Sequence, residues 1–142
     1  MKTILSILAL SMVLAASAQA TVSSFTCRTD RALKDNHKYT LQFQLEGLGT
    51  RHVRAIPQSS EANEIFVTVS PRNEELMVLN DNFALNVNSS AIEIRGDGDG
   101  FELLYLHLYS SRHFTRGYLR IDDTGENTRY GDQYTTVTCE VN

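Results

Sequence analysis

Phe101-Glu102-Leu103-Leu104-Tyr105-Leu106-His107-Leu108-Tyr109 is the stretch whose reading decides the fold. Neighbouring residues on a strand point to opposite faces. One face of this stretch carries Phe101, Leu103, Tyr105, His107 and Tyr109, and the other carries Glu102, Leu104, Leu106 and Leu108. A leucine-rich run also suits a helix. The glycine-rich turn before it and the serine pair after it favour a strand of this length. Both faces are apolar, so both are expected to meet something, with core on one side and a loop, ligand or partner on the other.

Outward from this strand, the remaining candidates are shorter and alternate more plainly. Lys38 to Glu46 places Tyr39, Leu41, Phe43 and Leu45 on one face and polar residues on the other, as a half-buried antiparallel strand does. Further strands are read at Thr50–Ile56, Ile65–Val69, Leu76–Leu79, Phe83–Val87, Ala91–Arg95, Phe114–Asp122 and Gln133–Val141. Asn80-Asp81-Asn82 suits a three-residue hairpin turn pairing Leu79 with Phe83 and Met77 with Leu85. Asp30 to Lys34 reads as one helical turn capped by Asp30. No long amphipathic helix separates the strands, which argues against a parallel sheet. The expected fold is all-β: one antiparallel barrel or sandwich of about eight to ten short strands. The barrel is preferred because the terminal strands are expected to be tied together.

That tie comes from the two cysteines, Cys27 and Cys139. The N-terminus reads as a secretory signal: Lys2, an apolar run from Ile4 to Leu14, and the A-x-A site Ala18-Gln19-Ala20. Residues 1–20 would be removed, leaving 21–142 as a single domain with a core of its own. Export places both cysteines in an oxidising compartment, where a disulfide between the first and last strands is the default. The expected location is secreted or periplasmic, with no membrane span in the mature chain. A membrane barrel is the rival, but the last residue is Asn142 rather than an aromatic. A net charge of −4 at pH 7 makes the domain a poor general binder of nucleic acid or anionic membrane.

The motifs with chemical promise have plainer readings. Arg95-Gly96-Asp97-Gly98-Asp99-Gly100 fails as a calcium loop, because Arg95 and Leu106 stand where the first and twelfth ligands belong. It is read as a hairpin turn. Asp123-Thr124-Gly125 matches the aspartic-protease triplet, but too little sheet follows it. His37, His52, His107 and His113 show no metal-ligand spacing, so no metal and no cofactor are expected. No G-x-S-x-G is present. Asn88-Ser89-Ser90 is a glycosylation sequon, relevant in a eukaryotic secretory pathway.

The closing segments Arg116-Gly117-Tyr118-Leu119-Arg120-Ile121 and Tyr134-Thr135-Thr136-Val137-Thr138-Cys139-Glu140 resemble the last strands of small exported bacterial proteins with one disulfide. That resemblance implies a β fold and carries no function. In shape the pattern is also similar to small calycin-like barrels, which implies a carried apolar ligand. The chain has no tryptophan and so lacks the lipocalin G-x-W signature.

Three functions follow. The first is an exported non-catalytic binding or inhibitory domain acting on an unknown protein or envelope component. The second is a small barrel carrying an apolar ligand, and the third a hydrolase whose catalytic residues are not recognised. The turn before the pivotal strand decides which face could bind. A four-residue loop, Asp97 to Gly100, would bury Phe101, Leu103 and Tyr105. A five-residue loop, Gly96 to Gly100, would bury Leu104, Leu106 and Leu108 instead. Three leucines are costlier to expose than two tyrosines and a histidine. The expected recognition surface is therefore Tyr105, His107 and Tyr109.

Overall fold

Alternation of apolar and polar residues becomes a single antiparallel sheet in a computed structural model that describes residues 20–33, 36–58, 65–71, 77–79, 83–98, 101–122 and 133–142. Its strands are β1 (Val22–Thr29), β2 (Tyr39–Glu46), β3 (Arg54–Ile56), β4 (Val67–Pro71) and β5 (Met77–Leu79). They continue with β6 (Phe83–Val87), β7 (Ala91–Gly98), β8 (Phe101–Tyr109), β9 (Arg116–Asp122) and β10 (Gln133–Val141). One 3₁₀ turn, Ser110–Arg112, links β8 to β9. The expected leader lies outside the described residues apart from Ala20, as do Asp123-Thr124-Gly125 and the Asn80–Asn82 turn.

The strand order is β5-β4-β2-β1-β10-β9-β8-β7-β6, with β3 also on β2. β5 comes back into contact with β7, so the sheet curls into a nearly closed barrel. The first and last long strands are neighbours at its centre. Cys27 stands directly opposite Cys139 in the β1–β10 ladder, and the two form a disulfide. Ser24 and Asn142 exchange both backbone hydrogen bonds. Counting from that pair, 27/139 is a non-hydrogen-bonded pair, the kind that brings opposing side chains closest.

The inner face is the core. Leu41, Phe43, Leu45, Leu104, Leu106, Leu108, Ile92, Ile94, Leu119 and Val137 are all buried. Phe25 and Phe43 stack across β1 and β2 with centroids 4.7 Å apart. Each such side chain contributes roughly 1.5–3 kcal/mol by leaving water, which is how short strands of modest propensity hold a barrel.

Three local expectations are corrected. Asp30 to Leu33 do not form a helical turn, and Lys34 lies outside the described residues. Asp30 instead accepts hydrogen bonds from the hydroxyls of Thr136 and Thr138 at 2.6 and 2.7 Å, which staple the chain after β1 to β10. Those two bonds hold its carboxyl below the ordinary range. The hairpin pairing Leu79 with Phe83 is not formed either. β5 pairs with β4 and β6 with β7, so the expected partners lie on opposite edges of the sheet. Local turn chemistry gave way to barrel curvature. Finally, the β7–β8 turn is not a five-residue loop. Gly98 pairs with Phe101, and a register shift follows before Gly96 pairs with Leu104. Glu102 and Leu103 thus stand against Asp97 alone. This bulge supplies the odd residue, and it turns Leu104, Leu106 and Leu108 inward.

Candidate functional site

The bulge also decides what stands beside the outward residues of β8. With Gly96 opposite Leu104, Glu93 falls opposite His107 and Arg95 opposite Tyr105. On the other side Tyr118 falls opposite His107 and Arg120 opposite Tyr105. Tyr134 continues the row beyond Arg120, and Thr136 the row beyond Tyr118. Two cross-strand rows result on the outer face: Arg95–Tyr105–Arg120–Tyr134 and Glu93–His107–Tyr118–Thr136. A third, Ala91–Tyr109, borders them.

Within these rows Glu93 is the hub. Its Oε1 accepts from the Tyr105 hydroxyl at 2.7 Å and lies 3.1 Å from His107 Nδ1. Its Oε2 accepts from the Asn86 amide at 2.8 Å. The Tyr105 bond, then the Asn86 bond, hold the Glu93 carboxyl below the ordinary range. Burial, reinforced by the bond to Glu93, pushes the Tyr105 phenol well above its ordinary value. Glu93 accepts, so the Nδ1 facing it carries the proton. Nε2 is then the free lone pair in the neutral ring.

Rings surround this hub. His107 stacks on Tyr118 with centroids 5.0 Å apart and planes 13° apart. Tyr109 meets His107 edge-on at 5.0 Å. Tyr109 to Tyr118 and Tyr118 to Tyr134 are each 6.3 Å. The Arg120 guanidinium lies 5.6 Å over the Tyr134 ring, within cation–π range. Tyr109 is 41% exposed and Tyr134 59%, whereas Tyr105, His107 and Tyr118 are half-buried.

The three residues singled out from the sequence, Tyr105, His107 and Tyr109, thus share one outward face. Sequence reasoning missed Glu93, Tyr118, Arg120 and Tyr134. The alternation of β8 was enough to show the face, but cross-strand partners depend on a bulge that alternation does not encode. The other histidines stand apart from this face. His52 and His113 are exposed, and the His37 carbonyl accepts the Leu33 N–H. Asn88 closes the β6–β7 turn, its Oδ1 accepting from the backbone of Ser90 and Ala91.

Chemically, a carboxylate holding an imidazole resembles half of a relay. Among the described residues no serine, threonine or cysteine hydrogen-bonds His107. Among the described residues no three of His, Cys, Asp and Glu converge to hold a metal ion. None of their helices is long and apolar enough to cross a membrane. A separate groove of about 380 Å³ lies on β1 and β2, lined by Ser24, Phe25, Thr26, Gln42, Phe43, Gln44, Pro57 and Gln58, with more polar than apolar surface.

Fold and site together define a disulfide-tied, nearly closed antiparallel barrel with a tyrosine-rich outer face. No family model, curated protein or solved structure matches the chain.

Proposed function

We propose that the protein is a non-catalytic binding module of an oxidising compartment, secreted or periplasmic, and that the outer face of β7–β10 is its recognition surface. One observation carries this reading: five rings from three strands form a continuous cluster whose two ends, Tyr109 and Tyr134, are open to water. Rigid aromatic side chains beside arginine are the composition of binding hot spots, because they offer large contact area and lose little conformational freedom. The Glu93 hydrogen bonds fix Tyr105 and His107 in advance, which lowers the cost of binding. The disulfide supports the choice of compartment.

The partner class is a protein or an envelope component. An apolar ligand is a weaker reading, since the groove on β1 and β2 offers it mainly hydroxyls and amides. The test is mass spectrometry of material that co-purifies with the native protein, repeated with Tyr109→Ala and Tyr134→Ala. Loss of the same species from both variants, with melting temperature unchanged, supports the reading. Retention in both sinks it.

A further inference from the structure

The three tyrosines follow a diagonal. Tyr109 on β8, Tyr118 on β9 and Tyr134 on β10 each sit one row further along the sheet than the last. Their centroids advance in two equal steps of 6.3 Å. A stripe of this kind suits an extended chain lying across the strands better than a single small molecule.

The chemistry between the rings narrows the occupant. Arg95 and Arg120 flank Tyr105 in one row. Arg95 is exposed and has no ion pair among the described residues. The one carboxylate in the two central rows, Glu93, is already engaged by Tyr105, Asn86 and His107. The face therefore offers the exposed guanidinium fork of Arg95, on a chain whose overall charge is −4. Its central rows hold no leucine, isoleucine, valine or methionine. The apolar contact it can make is with the flat faces of rings.

We infer that this face binds an anionic polysaccharide: a chain of sugar rings carrying carboxylate or sulfate groups. The C–H face of a pyranose lies against a tyrosine ring, and its anionic substituent meets an arginine fork, which matches planar oxyanions in geometry. The inference rests on the recognition-surface reading above. An oligonucleotide also has stackable rings and anions, but in the secreted or periplasmic compartment proposed above, which the disulfide fits, polysaccharides are the commoner polyanion.

The experiment is calorimetric titration of the full, disulfide-intact chain with four probes: polygalacturonate, dextran sulfate, dextran and a sixteen-residue oligothymidine. Saturable binding of polygalacturonate or dextran sulfate is expected, with uncharged dextran at least about tenfold weaker. Tyr134→Ala and Arg95→Gln should each weaken that binding by about fivefold or more. Gln58→Ala, in the separate groove, should leave it unchanged. Arg95→Gln alters an exposed side chain, so its effect is readable even if Tyr134→Ala perturbs the sheet. Failure of both anionic polymers to bind overturns the inference. So does binding that both variants leave intact, dextran binding as tight as its sulfate, or oligothymidine binding tighter than either polymer. If the polymers fail while Tyr109→Ala and Tyr134→Ala still release a native partner, the recognition surface stands and only its ligand class is wrong.

Discussion

His107 Nδ1 lies 3.1 Å from the same Glu93 oxygen that the Tyr105 hydroxyl engages at 2.7 Å. One carboxylate oxygen thus orders two rings of the outer face. Because hydrogen bonds depress the Glu93 pKa, the folded state holds this group ionised to lower pH than the unfolded chain does. Its contribution is complete above the ordinary value of 4.5 and is lost as pH falls through the depressed folded value. Tyr105→Phe removes the hydrogen bond that lowers it most. The Glu93 titration midpoint, followed by carboxyl NMR, should rise towards 4.5. Stability at neutral pH should fall by about 1 kcal/mol. An unchanged midpoint would show that Tyr105 does not hold Glu93.

The same bond acts on Tyr105 in the opposite direction. Burial and Glu93 raise the phenol above its ordinary 10.0. A raised folded pKa gives stability that is whole below the unfolded value and lost as pH rises through the folded one. Absorbance titration should show a late ionisation, one phenol in amplitude and above the ordinary value of 10.0, that belongs to Tyr105. That late step should vanish in Tyr105→Phe. If it persists, another tyrosine is the protected one.

The two faces of β8 should respond differently to truncation. Leu106 is wholly buried and Tyr109 is 41% exposed. Leu106→Ala should cost about 2–5 kcal/mol in denaturant melts, and Tyr109→Ala about 0.5 kcal/mol or less. Equal costs would contradict the face assignment.

How much of this was legible beforehand differs by level. Tyr39, Leu41, Phe43 and Leu45 show their burial in strict alternation, so β2 and the all-β class are readable from the chain. The disulfide was readable because Cys27 and Cys139 are the two cysteines of a chain whose start reads as an export signal. The faces of β8 followed from cost, since leucines lose more by exposure than tyrosines do. The partners of β8 did not follow. A bulge opposite Asp97 keeps the parity of a five-residue loop but moves every cross-strand pair, and it brings Glu93 to His107. The failed Leu79–Phe83 hairpin shows the same limit. Turn residues tolerate a reversal, and the curvature of the whole sheet decides whether it pairs.

The Cys27–Cys139 bond closes a loop with a sequence separation of 112. Long closed loops restrict the unfolded chain most, and a native bridge of this kind contributes about 2–4 kcal/mol. Reduction, or Cys27→Ala with Cys139→Ala, should therefore lower the melting temperature, read by calorimetry with and without reductant. No thiol should react in the native protein before reduction. A reduced protein that melts at the oxidised temperature would remove the bridge from the account of stability.

Gly117 sets how closely β9 can approach β8. It pairs with Leu108, and a Cβ built on it would stand 1.8 Å from the His107 carbonyl oxygen and 2.9 Å from the Leu108 Cα. Those are backbone atoms, so no rotamer change relieves the clash, and the strands must part locally. Gly117→Ala should then cost about 1–3 kcal/mol as overpacking does. The displaced backbone belongs to His107 itself. The ring stack of His107 on Tyr118, next to Gly117 in sequence, should loosen with it. Two readings separate the causes. A drop in melting temperature together with shifted His107 and Tyr118 ring resonances confirms that strand spacing positions the face. A drop with both ring environments unchanged assigns Gly117 to the core alone, and no drop at all refutes the contact.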